Sequence, residues 1–149
     1  MREILFRGKR KDNGKWVEGL PIKTYDTEIG KNSVDYANPV PVVLMASGRI
    51  VLECGCDEVP FFNTDEYPIV NPETVGQYTG LQDKNGKKIF EHDIVRIYVD
   101  FTTMQYVISY DKENARFVVG DTGFTFWSYI STKIEVIGNV HDNLELLNK

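Results

Sequence analysis

The sequence has only two cysteines, two histidines, and no apolar run longer than a strand. Cys54 and Cys56 are separated by a single glycine, a spacing that seldom closes an unstrained disulfide, so a bridge-held secreted scaffold is excluded. No segment approaches the roughly eighteen apolar residues of a membrane helix, and MREILFRGKR lacks a signal-peptide core; a cytoplasmic protein is expected. The glycine patterns of phosphate loops, dinucleotide folds and serine-hydrolase elbows are missing, which removes those chemistries. Excess positive charge is missing as well. A net charge of −5 means the surface as a whole is not a footprint for phosphates.

What is present is a globular composition. The 149 residues are 42% hydrophobic and 12% aromatic, enough for one compact domain that buries roughly two-thirds of its unfolded surface. Two subdomains that share a core are the alternative, residues 1–69 with N-terminal hairpins and a variable insertion, and residues 70–149. Charge is uneven along the chain. Residues 1–15 carry Arg2, Arg7, Lys9, Arg10, Lys11 and Lys15 against Glu3 and Asp12, a balance of +4 that leaves −9 for the rest. Residues 24–66 set eight acids against Lys31 and Arg49. Solvated faces account for both biases, since like-charged surfaces mostly serve solubility.

The pattern along the chain is that of short strands. EILFRGKR and WVEGLPIK flank Asn13-Gly14, which predicts a hairpin with a type I′ turn. Gly8 and Gly19 suggest bulges or close backbone approach, and Pro21 suggests a strand near an edge. Residues 24–41 lose apolar periodicity and read as a long loop, residues 40–52 as two strands about Ser47-Gly48, and residues 20–66 together as an insertion. The densest segment is Val70 to Val99. Asn71-Pro72-Glu73 has the order of a capped helix start, Gln77–Leu81 and Lys88–Phe90 flank a second Asn-Gly turn, and Ile94–Phe101 alternates as a central strand. Short strands follow at 104–110, 116–119, 124–130 and 134–140, spaced as in a small barrel or sandwich, and LELLNK closes as strand or helical turn.

Few groups suggest chemistry. Cys54, Cys56, His92 and His141 add up to a zinc set, but one residue separates the cysteines and 49 positions separate the histidines, so no metal and no cofactor is expected. Glu91-His92-Asp93 sets two carboxylates beside an imidazole, yet neighbours on a turn point apart and no nucleophile accompanies them. A turn leading into the next strand explains it better, and the same holds for His141-Asp142. An enzyme would require a pocket in which Glu91, His92 or Asp93 converges with Cys54, Cys56 or His141. Trp16, Trp127 and the other aromatics read as core more readily than as a stacking platform. The sharper binding candidate is a basic face of Arg7, Lys9, Arg10 and Lys11 with Lys84, Lys87 and Lys88, if the two hairpins are neighbours.

Three segments, REILFRGKRKDNGKWVEG at 2–19, VNPETVGQYTGLQDKNGKKIFEHDIV at 70–95 and IGNVHDNLELL at 137–147, resemble the YopX family of bacteriophage and prophage proteins. The resemblance implies a mainly β fold with an SH3-like barrel in the C-terminal half, self-association, and no catalytic residues. His92 departs from the family pattern, which commonly has glycine before the aspartate, and this counts against a positive-φ backbone there. The expected function is therefore non-enzymatic: a phage or prophage accessory protein in the cytoplasm of a bacterial host that binds protein, as a homo-oligomer or with another phage or host protein. Nucleic-acid binding through the basic N-terminal hairpin is the alternative.

Overall fold

The structure is a computed structural model that describes residues 3–26, 40–46, 68–99, 102–120, 124–125 and 133–148. It is mainly β, with antiparallel sheets and two short 3-10 turns. The chain divides into two units, Leu5–Val75 and Gly76–Lys149, the latter including the first four residues.

The first unit contains β1 (Phe6–Lys9), β2 (Trp16–Asp26), β3 (Val40–Ala46) and β4 (Ile69–Val70), in the order β4-β3-β2-β1. The Asn-Gly hairpin forms as expected, but its turn is not type I′. Of its residues only Gly14 has positive φ, at 67°, and the loop closes through Gly14 N–H to Arg10 C=O at 3.1 Å and Arg10 N–H to Lys15 C=O at 2.9 Å. A loop of this length needs one left-handed residue rather than two, and Asn13 instead uses its side chain to accept from Lys15 N–H at 2.9 Å. Gly8 marks a close approach: the β1–β2 register runs unbroken, and a Cβ on Gly8 would lie 3.0 Å from the Val70 side chain. Pro21 does not place β2 at an edge. It pairs with Met45 on β3 and lies past Gly19, the last β2 partner of β1, so its missing N–H disrupts no ladder on that side. The predicted loop at 24–41 is shorter than its composition suggests, because Thr24–Asp26 pair with Val42–Val40. The predicted second strand after Ser47-Gly48, the Cys-Gly-Cys segment and Trp127 lie outside the described residues.

Between β4 and the second unit, Pro72–Thr74 form one 3-10 turn. Its start matches the sequence reading: Asn71 Oδ1 accepts from Glu73 N–H at 3.3 Å, and proline opens the turn. The Thr74 hydroxyl accepts from Lys9 N–H at 2.8 Å and donates to Asn71 C=O at 2.7 Å, binding the turn to β1.

The second unit has β5 (Gly76–Gln82) and β6 (Lys88–Phe90) as a hairpin, followed by β7 (Asp93–Val99), β8 (Thr102–Asp111), β9 (Arg116–Val119), β10 (Phe124–Thr125) and β11 (Ile134–Asn139). The last five form an open antiparallel sheet in the order β10-β9-β8-β7-β11, which fits a small barrel in the C-terminal half. β7 is central as its alternation predicts, with Val95 opposite Tyr106 on one side and Val136 on the other. Its inward face joins Ile89, Val95, Ile108, Val119, Ile134 and Val136 in one cluster, with Ile97 and Tyr106 packed against it. Each fully buried aliphatic of this kind contributes about 1.5–3 kcal/mol. The tail resolves as a 3-10 turn, Leu144–Asn148.

Candidate functional site

The basic residues nominated by the sequence fall into two groups by unit. In the first unit, the Arg7 guanidinium lies 4.8 Å from the centre of the Trp16 ring, and Arg10 makes a two-toothed ion pair with Asp12 at 2.9 and 2.6 Å. That guanidinium, through its hydrogen bonds above all, holds the Asp12 carboxyl below its ordinary range. Lys9 is half-buried on β1, and Lys11 is exposed on the loop. In the second unit, Lys87 is exposed, Lys88 Nζ lies 3.9 Å from Glu3 and 5.7 Å from the Tyr78 ring centre, and Lys84 is the most engaged. Lys84 Nζ contacts Glu135 Oε2 at 2.9 Å and sits 3.9 Å above Tyr98, whose hydroxyl donates to the same carboxylate oxygen at 2.5 Å. The Glu135 contact raises the Lys84 pKa, and the Tyr98 hydroxyl followed by Lys84 lowers that of Glu135. This trio of cation, phenol and carboxylate joins a turn to two strands that are remote in sequence, so spacing along the chain does not disclose it.

Acids that enter the interior are spent on the backbone. Asp83, 6% exposed, heads the β5–β6 turn: its Oδ1 accepts from Asn85 N–H at 2.8 Å and Lys87 N–H at 3.0 Å, and its Oδ2 from Val136 N–H at 2.9 Å. Burial pushes its pKa up, but these N–H groups and the Lys87 charge outweigh that, and the carboxyl sits below its ordinary value. Asp at the head of an Asn-Gly turn was a readable signal, whereas the reach to β11 was not. Asp93, 1% exposed, accepts from Phe90 N–H at 2.8 Å and lies 3.5 Å from Asn139 Nδ2. It therefore serves the turn, as the sequence suggests.

The histidines depart most from expectation. His92 has a φ of 69°, so the left-handed backbone persists although glycine is replaced. Histidine is one of the side chains that tolerate this region, and here the conformation is over-determined: His92 N–H donates to Ile108 C=O at 2.8 Å, while its C=O accepts from Val140 N–H at 3.0 Å. The β7–β11 register sets Asp93 opposite Asn139 and so brings the flanking turns together. His92 Nδ1 and His141 Nε2 stand 3.2 Å apart, with the rings edge-on at 5.1 Å. Glu91 Oε1 lies 3.9 Å from the other nitrogen of His92. The two histidines, 49 positions apart in sequence, are thus brought together, whereas Cys54 and Cys56 lie outside the described residues.

Comparison with known proteins agrees with this architecture. The YopX protein family model matches residues 5–148. The chain belongs to the YopX family. A solved structure, that of protein EF1440 from Enterococcus faecalis, is similar with a TM-score of 0.54 and 25% identity, over 99% of this chain and 99% of that one. A comparison with curated proteins found no match. Among the described residues of this YopX-family chain, no helix is long and apolar enough to cross a membrane.

Proposed function

We propose that this YopX-family chain is a non-enzymatic interaction module of phage or prophage origin that acts in the bacterial cytoplasm by binding protein, a second copy of itself included. The observation that carries the reading is the division between spent polar groups and unspent apolar ones. Asp83 and Asp93 are consumed by backbone N–H groups, while Leu20, Met104 and Tyr110 remain 45%, 45% and 37% exposed. Large apolar side chains left in solvent on strand faces are contact material for another protein. Met104 and Tyr110 share one face of β8, either side of fully buried Ile108, so a partner would extend the core face outward.

Size-exclusion chromatography with light scattering tests the self-association. The expected result is a species above monomer mass that Met104→Glu shifts to monomer; a parent that stays monomeric at high concentration removes the second copy from the reading. The second reading, nucleic-acid binding, is favoured by the Arg7–Trp16 stack and the exposed Lys11 carried by the same hairpin. Salt-sensitive retention on DNA or heparin that is lost on neutralising Lys9, Arg10 and Lys11 would put it first.

A further inference from the structure

We propose that His92 and His141 form a binding site for a divalent transition-metal ion of the zinc type, with water completing the coordination shell. The proposal rests on the facing of the two rings. Their nearest nitrogens are 3.2 Å apart, and two imidazoles that each hold zinc at about 2.0–2.1 Å with that separation subtend roughly 100° at the metal, close to the tetrahedral angle. Without an ion the same separation is a hydrogen bond between the rings, and a metal would take the place of the shared proton and hold both nitrogens. Imidazole is a ligand suited to zinc, copper and nickel rather than to hard cations.

The other features of the site support a preset pair of ligands. Both nitrogens are fixed through the backbone: His92 by its bonds to Ile108 and Val140, and His141 by its N–H, which donates to Asn139 Oδ1 at 3.0 Å. Asn139 is in turn the β11 partner of Asp93, so the turns that carry the two histidines lie at the same end of the β7–β11 pair. Glu91 Oε1 lies 3.9 Å from His92 Nε2, on the side of the ring away from His141, so the carboxylate adds negative charge near the pair. The His92 side chain is 30% exposed, which gives an ion and its waters access. A left-handed backbone, for which glycine is the usual choice, is here occupied by a side chain able to ligate, and such outliers gather at functional positions. Among the described residues no group of three or more His, Cys, Asp or Glu could hold a metal, so those residues supply two ligands to the site, which bind more weakly than a closed structural zinc set.

The test uses the full chain with Cys54 and Cys56 both changed to serine, so that thiolates do not compete, and zinc chloride as the probe. Titration calorimetry should show one saturable zinc per chain. His141→Gln and His92→Gly should each weaken binding by about tenfold or more, the scale on which even outer-shell partners of a metal act. His92→Gly keeps the left-handed backbone without strain, so a loss of binding in it is a loss of ligand and not of fold. With only two histidines in the chain, long-range nitrogen NMR assigns every ring signal, and zinc should move His92 Nδ1 and His141 Nε2 together. Zinc affinity unchanged by both substitutions, ring signals that zinc leaves in place, or no saturable binding would each overturn the proposal.

Discussion

Asp83 shows how one residue here does the work of several. Its carboxylate satisfies three backbone N–H groups, two in its own turn and one on β11. Asp83→Ala leaves those donors buried without an acceptor and should destabilise the chain by about 3 kcal/mol in urea unfolding, with Asp83→Asn costing less. The pH dependence has a definite sign. A carboxyl whose folded pKa is depressed contributes stability above its unfolded value, near 3.9, and loses that contribution as pH falls through the folded value. Midpoints measured from about pH 6 down to about pH 2 should fall for the parent, and Asp83→Asn should flatten that acid limb. Glu135 permits a second check at this scale. Because its contact raises the Lys84 pKa, Glu135→Gln should lower the Lys84 titration midpoint seen by NMR.

At the scale of elements, two glycines separate backbone strain from crowding. Gly86 has a φ of 83° with open space where a Cβ would be, so Gly86→Ala should cost about 1 kcal/mol from the left-handed conformation alone. Gly120, with a φ of 64°, would place its Cβ 2.6 Å from the Tyr106 ring, and Gly120→Ala should cost roughly twice as much or more. Denaturant midpoints of the two variants decide whether the order holds. The same elements show what the sequence discloses. Strand positions, the Asn71-Pro72 turn and the centrality of β7 follow from period and turn chemistry, which are local. The turn types of both Asn-Gly hairpins depend on loop length, and the second resembles the first, with Gly86 alone at positive φ and its N–H bonded to Asp83 C=O at 3.0 Å. The His92–His141 facing was illegible because ligand spacing is counted along the chain, whereas the pair is made by register across β7 and β11.

For the whole molecule, the uneven depth of burial sets the order in which it opens. Ile94, Val95, Ile108 and Ile134 are at 0% exposure and lie on β7, β8 and β11. Amide hydrogen exchange should therefore be slowest on those strands and fast at the β8–β9 turn, where residues 112–115 are exposed. Equal protection across the second unit would count against a single core on β7.

The bond from Val136 to Asp83 spans 53 residues, and β11 closes on β7 only after β8, β9 and β10 have intervened. Contacts this distant in sequence pay their loop-closure entropy before they return anything, so the folding rate belongs with the slower β topologies, in milliseconds to seconds. A nascent chain on the ribosome has β7 and β8 paired but the far side of β7 open until β11 emerges. During that interval β7 presents an unpaired edge beside an incomplete core, which is the period when the chain is most exposed to mispairing.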